Sequence, residues 1–79
     1  KDIKAKVKIV DRIDQMKKGN LGDHKSVGKG VSETRINYGP GYRIYFARKG
    51  NTLIIILAGS SKKDQDKTIQ QAQKNWQSL

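Results

Sequence analysis

The chain has 79 residues, and its 17 Lys and Arg against 7 Asp and Glu give a formal net charge of +10. This length allows one small domain over residues 1–79, because only about 60% of the unfolded surface becomes buried at this size and two cores would each be too small. The lack of cysteine and the single histidine exclude disulfides, thiolate metal sites and multi-histidine sites, so we expect no metal and no cofactor.

The first predicted element is an amphipathic helix that ends near Gly19 and Asn20, a usual C-terminal pair. Its apolar side chains recur at helical spacing and are expected to face the core, as a central stripe of Ile3, Val7 and Val10 flanked by Ile9, Ile13 and Met16. The opposite, exposed face is predicted to hold Lys1, Lys4, Lys8, Asp11, Arg12 and Gln15. No N-cap precedes this pattern, so we expect that the first turns of the helix are missing from this chain.

A glycine-rich loop over residues 20–30 and a three-stranded antiparallel meander are predicted next. Residues 31–38 and 42–48 alternate in side-chain character, and the glycines around Pro40 force a turn between them. Residues 52–58 are apolar on both faces, which predicts a central strand covered on both sides. On this strand we expect one face to pack on the helices, with Leu53, Ile55 and Leu57, and the other face to hold Ile54 and Ile56.

The last predicted element is a helix from Lys62 or Lys63 to Gln77. Ser61 followed by Asp64 approximates a capping box at its start. Its buried stripe is predicted to be Ile69, Ala72 and Trp76. Together the elements predict an α+β fold, in which an antiparallel meander packs against an N-terminal amphipathic helix and a C-terminal helix.

Basic residues in the predicted sheet are the main functional signal. Arg35 and Arg43 fall on neighbouring strands, on the face opposite the apolar side chains. Such arginines beside Tyr45 could hold a phosphate while the ring stacks a base, although solvated side chains would give the same pattern. Lys62 and Lys63 open the last helix, where positive charge opposes the helix dipole, a conflict found at functional sites and at tolerant surface positions.

The single histidine, His24, and the single glutamate, Glu33, could serve together as general acid and base. Lys25 and Lys29 lie in the same predicted loop as His24, and all three side chains could contact RNA or simply be solvated. No catalytic-triad order, phosphate-loop motif or metal-ligand spacing occurs. The longest apolar run, residues 53–58, is far shorter than the ~20 residues that span a bilayer, and no signal peptide opens the chain. We therefore expect a cytoplasmic protein without membrane contact.

Residues 22–46 contain an extended motif, in which residues 22–30 read GDHKSVGKG and residues 31–43 read VSETRINYGPGYR. This motif resembles the HigB-like branch of addiction-module killer proteins, within the RelE/ParE superfamily of bacterial toxins. The similarity covers residues 10–79. Thr34 stands where the branch usually has leucine, and Ser60 with Ser61 where it often has Gly-Asp.

The resemblance implies a compact α+β toxin paired with a DNA-binding antitoxin that covers its basic face, as a hetero-oligomer. RelE-type members cut mRNA in the ribosomal A site, whereas ParE-type members inhibit DNA gyrase. It also implies that Arg43 meets the scissile phosphate, with Arg35, Lys62 and Lys63 near other basic positions of the family. The terminal tyrosine of RelE has no counterpart here. Family members begin with a short strand and a full first helix, so the resemblance implies that this chain lacks that N-terminal part.

Three functions follow as hypotheses. The first is a metal-independent, ribosome-dependent endoribonuclease in which the RNA 2′-OH is the nucleophile. The residues expected to serve it are Arg43 and Arg35 for phosphate charge, Lys62 or Lys63 in support, Glu33 as base, and Tyr45 as a stacking surface. The second is a toxin without chemistry of its own that inhibits gyrase, and the third is a basic nucleic-acid-binding module.

Overall fold

The computed structural model describes residues 3–39, 41–59 and 65–79. In that part of the chain, two helices flank an antiparallel sheet of four strands. The elements are α1 Ile3–Lys17, β1 His24–Gly28, β2 Val31–Ile36, β3 Tyr42–Lys49, β4 Thr52–Gly59 and α2 Gln65–Gln77. The strands lie side by side in chain order, β1-β2-β3-β4. The predicted α+β fold, with a helix, a meander and a second helix, is confirmed.

One face of the sheet, called the α1 face below, packs against α1. Its buried core consists of Met16 from the helix and Ile36, Ile44 and Phe46 from the strands. Arg35 is paired directly with Arg43 across β2 and β3, so both lie on the other face. The predicted division between apolar side chains on one face and the two arginines on the other is therefore confirmed.

The rotation of α1 about its axis differs from the prediction. Ile3, Val7 and Val10 are exposed, whereas Ala5 and Met16 are buried, with Ile9 and Ile13 packed on the core. Both sets of side chains are apolar at helical spacing, so periodicity could not choose between them. The choice follows from Arg12, predicted to be exposed, whose Nη1 donates to Thr34 Oγ1 at 2.8 Å and to the Arg35 carbonyl at 2.7 Å. These bonds turn its side of the helix towards the sheet.

The prediction of a loop over residues 20–30 is wrong in part, because His24–Gly28 forms strand β1. This strand pairs with β2 through a tight turn in which Lys29 has a φ of 55° and Gly30 a φ of 81°. β1 lies at the edge of the sheet and its side chains are mostly exposed. An edge strand that is largely solvent-exposed on both faces does not alternate apolar and polar residues. The alternation that predicts a strand was therefore absent here.

Strand β4 was predicted to be central, and among the described strands it lies at the other edge. A β-bulge breaks its alternation: Tyr45 pairs with Leu57 and Phe46 with Ile55, which leaves Ile56 as the extra residue. Consequently Leu53 packs on the α1 face, whereas Ile56 and Leu57 pack on the opposite face. The prediction that Leu53, Ile55 and Leu57 share one face is therefore wrong, because it assumed a regular strand.

The second face of the sheet, called the α2 face below, packs against α2. Its buried core is Val31, Tyr45 and Ala72, with Ile69 and Trp76 packed around it. The predicted stripe of α2 is thus confirmed, and so is its end at Gln77. The predicted start at Lys62 or Lys63 and the capping pair of Ser61 with Asp64 lie outside the described residues.

Candidate anion-binding site

Two arginines lie side by side at one end of the β2–β3 hairpin. Arg35 and Arg43 are cross-strand partners on the α2 face. They line one cavity of about 170 Å³, together with Asn37, Tyr38, Gly39, Gly41 and Tyr42. Like charges on directly opposed strand positions repel each other, and here a carboxylate beside each arginine offsets the repulsion, Asp23 beside Arg35 and Glu33 beside Arg43. Two guanidinium groups at one cavity are suited to a phosphate.

The turn that closes this hairpin shapes the cavity. The Gly41 N–H donates to the Tyr38 carbonyl at 2.9 Å. Gly39 and Gly41 have φ values of 57° and 87°, which residues with a side chain rarely adopt. The glycines predicted to force a turn thus bring the ends of β2 and β3 together at the arginines. A larger open cleft of about 450 Å³ between β4 and α2 has Lys67 as its one charged lining residue among those described, so it is less suited to an anion.

Glu33 lies beside Arg43 in the interior of the α2 face. Its side chain is 1% exposed, and its Oε1 is 3.6 Å from Arg43 Nε and 3.8 Å from Lys25 Nζ. Both distances are too long for hydrogen bonds, and Arg43 Nε has no hydrogen-bond partner among the described residues. The Tyr45 hydroxyl interacts with the Glu33 carboxylate. Buried ion pairs without short hydrogen bonds are rare and concentrate at functional sites. Glu33 therefore lies as a carboxylate directly behind Arg43, whose side chain is 13% exposed.

This burial changes the expected role of Glu33. A general base must come within hydrogen-bond reach of the hydroxyl that it deprotonates. A side chain that is 1% exposed does not reach a bound RNA in this conformation. The expectation that Glu33 meets the 2′-OH directly therefore conflicts with the structure, which places it as the counter-ion of Arg43.

Tyr45 lies next to Glu33 and is also buried, with 1% of its surface exposed. Burial is the main reason that the pKa of Tyr45 is raised to about 12, and the negative charge of Glu33 raises it further, while the Arg43 charge opposes the rise. The phenol is therefore neutral over the physiological range. Because its ring packs in the core of the α2 face, it offers no surface on which a base could stack, and that prediction is wrong for this conformation.

Two residues that the sequence analysis did not select hold Arg35 in place. Asp23 accepts hydrogen bonds from Arg35 Nε at 3.2 Å and Nη2 at 2.9 Å, and its carbonyl accepts from the Arg35 backbone N–H at 2.9 Å. Arg12 binds the Arg35 carbonyl from the other side of the strand. Asp23 belongs to the motif that carries the family resemblance, but it lies in the segment taken as a loop, and Arg12 lies on a helix. Neither could be assigned to Arg35 without knowledge of the strand pairing.

The other predicted site residues separate into two groups. Lys25 lies at the site, since it is directly opposite Glu33 on β1. His24 pairs with Thr34 and its ring lies 6.5 Å from that of Phe46, on the α1 face, so the sheet separates it from Glu33 and the predicted acid–base pair is wrong. Lys29 is in the β1–β2 turn, away from the arginines. Lys62 and Lys63 lie outside the described residues.

Comparison with known proteins places the chain in a family. An uncharacterized protein of Haemophilus influenzae is 47% identical over 72 residues, which cover 91% of this chain and 73% of that relative. The chain belongs to the same family as this relative. No protein-family model and no solved structure matches it. Neither of the two helices in the described part of the chain is long and apolar enough to cross a membrane.

Proposed function

We propose that the protein is the toxin of a type II toxin–antitoxin pair, of the RelE/ParE type and the HigB-like branch, and that it cuts mRNA on the ribosome in the cytoplasm. The observation that carries this proposal is the pair of arginines at one cavity, with a buried carboxylate behind one of them. A DNA-binding antitoxin that covers this basic surface is the expected partner. The net charge of +10 favours both this partner and the ribosome.

The proposed chemistry needs little from the protein except charge and orientation. The 2′-oxygen attacks the adjacent phosphorus, and the bond from phosphorus to the 5′-oxygen of the next nucleotide breaks. Negative charge builds up on the phosphate oxygens between these events, and Arg35 with Arg43 stabilises it. Arginine stays protonated in proteins, so the two side chains bind and stabilise but do not carry the proton of the 2′-OH. Solvent water accepts that proton and supplies one to the departing 5′-oxygen, which leaves a 2′,3′-cyclic phosphate and a 5′-hydroxyl. Glu33 holds the Arg43 guanidinium towards the cavity.

The test uses ribosomes programmed with end-labelled mRNA and the Arg43→Ala variant. We expect discrete cuts with the wild-type chain and a loss of about 10²–10³-fold in cleavage rate for the variant, because one well-placed charge donor is removed. Arg48→Ala is the matched control, since Arg48 is an exposed arginine of the same strand whose partner Leu53 packs on the α1 face. Equal cleavage by Arg43→Ala and Arg48→Ala would contradict the proposal.

One observation favours a second candidate, a toxin that inhibits DNA gyrase without chemistry of its own. Glu33 is buried and His24 lies on the opposite face, so the described cavity has no acid and base side by side. A toxin that only binds gyrase would need the two arginines for contact with its target, but it would need no acid or base. Intact mRNA together with lost gyrase supercoiling, under conditions where the protein arrests growth, is the outcome that this candidate predicts.

A further inference from the structure

A second polar groove lies between α2 and the β1–β2 turn. It has a volume of about 360 Å³ and is lined by two lysines and three glutamines, Lys29, Gln70, Gln73, Lys74 and Gln77. The four residues from α2 recur at helical spacing and so form one face of the helix. Lys29 comes from the turn that faces them.

Close packing fixes the two walls of this groove. Gln73 Nε2 donates to the Val27 carbonyl at 2.8 Å, which ties α2 to strand β1. A side chain at Gly28 would begin 3.2 Å from Gln73 Nε2, and one at Gly30 would begin 3.1 Å from Trp76 Nε1. The helix therefore rests directly on the glycine backbone of the turn. The spacing between Lys29 and Lys74 is set by the fold rather than by flexible loops.

The chemistry of the lining suits a single-stranded nucleic acid. Ammonium groups pair with phosphates, and glutamine amides both donate to and accept from the edges of bases. The lining contains no carboxylate and no apolar side chain among the described residues. A base-bearing strand uses both sets of groups, and the net charge of +10 favours a polyanion. An acidic peptide is the competing ligand, and competition with poly-glutamate separates the two.

An exposed lysine, Lys25, lies between the groove and the arginine site in the order of the strands. Lys25, whose side chain is 65% exposed, is opposite Glu33 on the α2 face, and Arg35 is two residues beyond Glu33 on the same strand. Lys29 follows Lys25 by four residues, beyond a register shift between Ser26 and Gly28 and in the turn that ends the strand. Cations therefore occur at Arg35 on β2, at Lys25 on β1 and at Lys29 in the turn between these strands.

From this arrangement we infer that the groove binds the single-stranded RNA next to the cut site, with Lys29 and Lys74 on its phosphates and Gln70 and Gln77 on its bases. This inference rests on the proposed function and names the part of the protein that would select the sequence. It assigns base recognition to α2, while the arginines remain responsible for the scissile phosphate.

The test measures binding of a fluorescein-labelled single-stranded RNA by fluorescence anisotropy at several salt concentrations. We expect Lys74→Ala to weaken binding several-fold and to lower the salt dependence by about 0.7 in log–log slope, the amount for one phosphate contact. Lys17→Ala, which removes an exposed lysine from the last turn of α1, is the matched control and should leave the slope unchanged. Equal effects of the two substitutions would overturn the inference.

A second measurement tests whether the glutamine side-chain amides of the groove contact the bases. We expect Gln70→Ala combined with Gln77→Ala to change the relative affinities for oligo-A, oligo-C and oligo-U without changing the salt slope, because base contacts rather than phosphate contacts are lost. Gln15→Ala on α1 is the control. Unchanged base preference in the double variant, or full displacement of RNA by poly-glutamate at equal charge, would overturn the assignment.

The binding assay and the ribosome assay separate the two proposals. If the wild-type chain leaves mRNA intact while Lys74→Ala still weakens RNA binding, the nuclease proposal fails and the groove remains an RNA site. If cleavage depends on Arg43 but Lys74→Ala behaves like Lys17→Ala, the groove assignment alone fails.

Discussion

The two faces of the sheet each bury one polar residue of β2, and they satisfy it very differently. Thr34 on the α1 face accepts a hydrogen bond from Arg12 at 2.8 Å and donates one to the Leu21 carbonyl at 2.6 Å. Glu33, its neighbour in sequence, is buried on the α2 face, where Arg43 and Lys25 are too far for hydrogen bonds and the Tyr45 hydroxyl interacts with its carboxylate. The hydroxyl of Thr34 is fully hydrogen-bonded, whereas the carboxylate of Glu33 is a buried charge, which lowers the stability of the fold.

The two faces therefore differ in how their buried polar group affects the stability of the fold. An apolar core with one fully bonded hydroxyl stabilises the fold. A buried carboxylate between Arg43 and Lys25, at 3.6 and 3.8 Å, adds less stability than an apolar residue would, but it maintains a strong local field. Local arrangements that oppose stability tend to occur where a protein functions. The α2 face, which keeps this buried charge, is also the face on which the proposed site lies.

The largest expected effect on stability lies on the α1 face. Ile44 is fully buried there, and Ile44→Ala should lower the free energy of unfolding by about 2–5 kcal/mol, because the lost burial is compounded by a cavity. Urea denaturation measures this. Ile55→Ala on the exposed edge of β4 is the control, and a loss as large as that of Ile44→Ala would contradict the assignment of the core.

Alkaline pH should destabilise the α2 face through Tyr45. Its pKa is raised to about 12 by burial first and by Glu33 second, whereas the unfolded chain ionises near 10. The stabilisation is therefore fully present below pH 10 and is lost as pH rises to 12, by at most about 3 kcal/mol. Urea denaturation from pH 8 to 12 should show this loss in the wild type, and Tyr45→Phe should lack that part of it. Identical pH profiles would contradict the raised pKa.

The substitution Glu33→Gln tests how far the charge of Glu33 raises the pKa of Tyr45. It removes the negative charge that raises the pKa of Tyr45 but leaves the burial in place. The ionisation of Tyr45, followed by phenolate absorbance, should therefore move to lower pH than in the wild type. A shift of the titration to higher pH would contradict the conclusion that the Glu33 charge raises the pKa of Tyr45.

A smaller effect is expected from Thr34→Val, which keeps the shape and removes the hydroxyl. Arg12 Nη1 loses one of its two acceptors and the Leu21 carbonyl loses its donor, so stability should fall by about 1–3 kcal/mol. Thermal or urea unfolding measures the change. Thr52→Val at the exposed start of β4 is the control. Equal losses of stability in the two variants would show that the hydroxyl of Thr34 does not stabilise the fold.

The smallest effect is expected from Asp23→Asn. Asp23 and Arg35 are each about half exposed, and an ion pair in water contributes less than about 1 kcal/mol. Asp14→Asn on the exposed side of α1 provides the baseline for losing a surface carboxylate. A loss of stability as large as that of Thr34→Val would mean that Asp23 is more than a surface partner of Arg35.

Much of the fold could be read from residue patterns, because those patterns record local preferences. Alternation located β2 and β3 and put Arg35 and Arg43 on one face, and glycines located the turn between them. Helical spacing located both helices and the buried stripe of α2. These features depend on neighbours within a few residues, and the structure confirms them.

Other features depend on residues that are distant in the chain, and the patterns could not show them. The strand β1 is recognised by its pairing with β2 rather than by its composition, and a bulge on β4 moved Leu57 to the α2 face. α1 carries two apolar stripes, and the contact of Arg12 with Thr34 selects between them. Glu33 and Tyr45 looked exposed by alternation, but α2 packs over their face and buries both. Amino-acid order specified the elements and the paired arginines, whereas long-range packing set burial, and burial changed Glu33 from an expected base into the charge that holds Arg43.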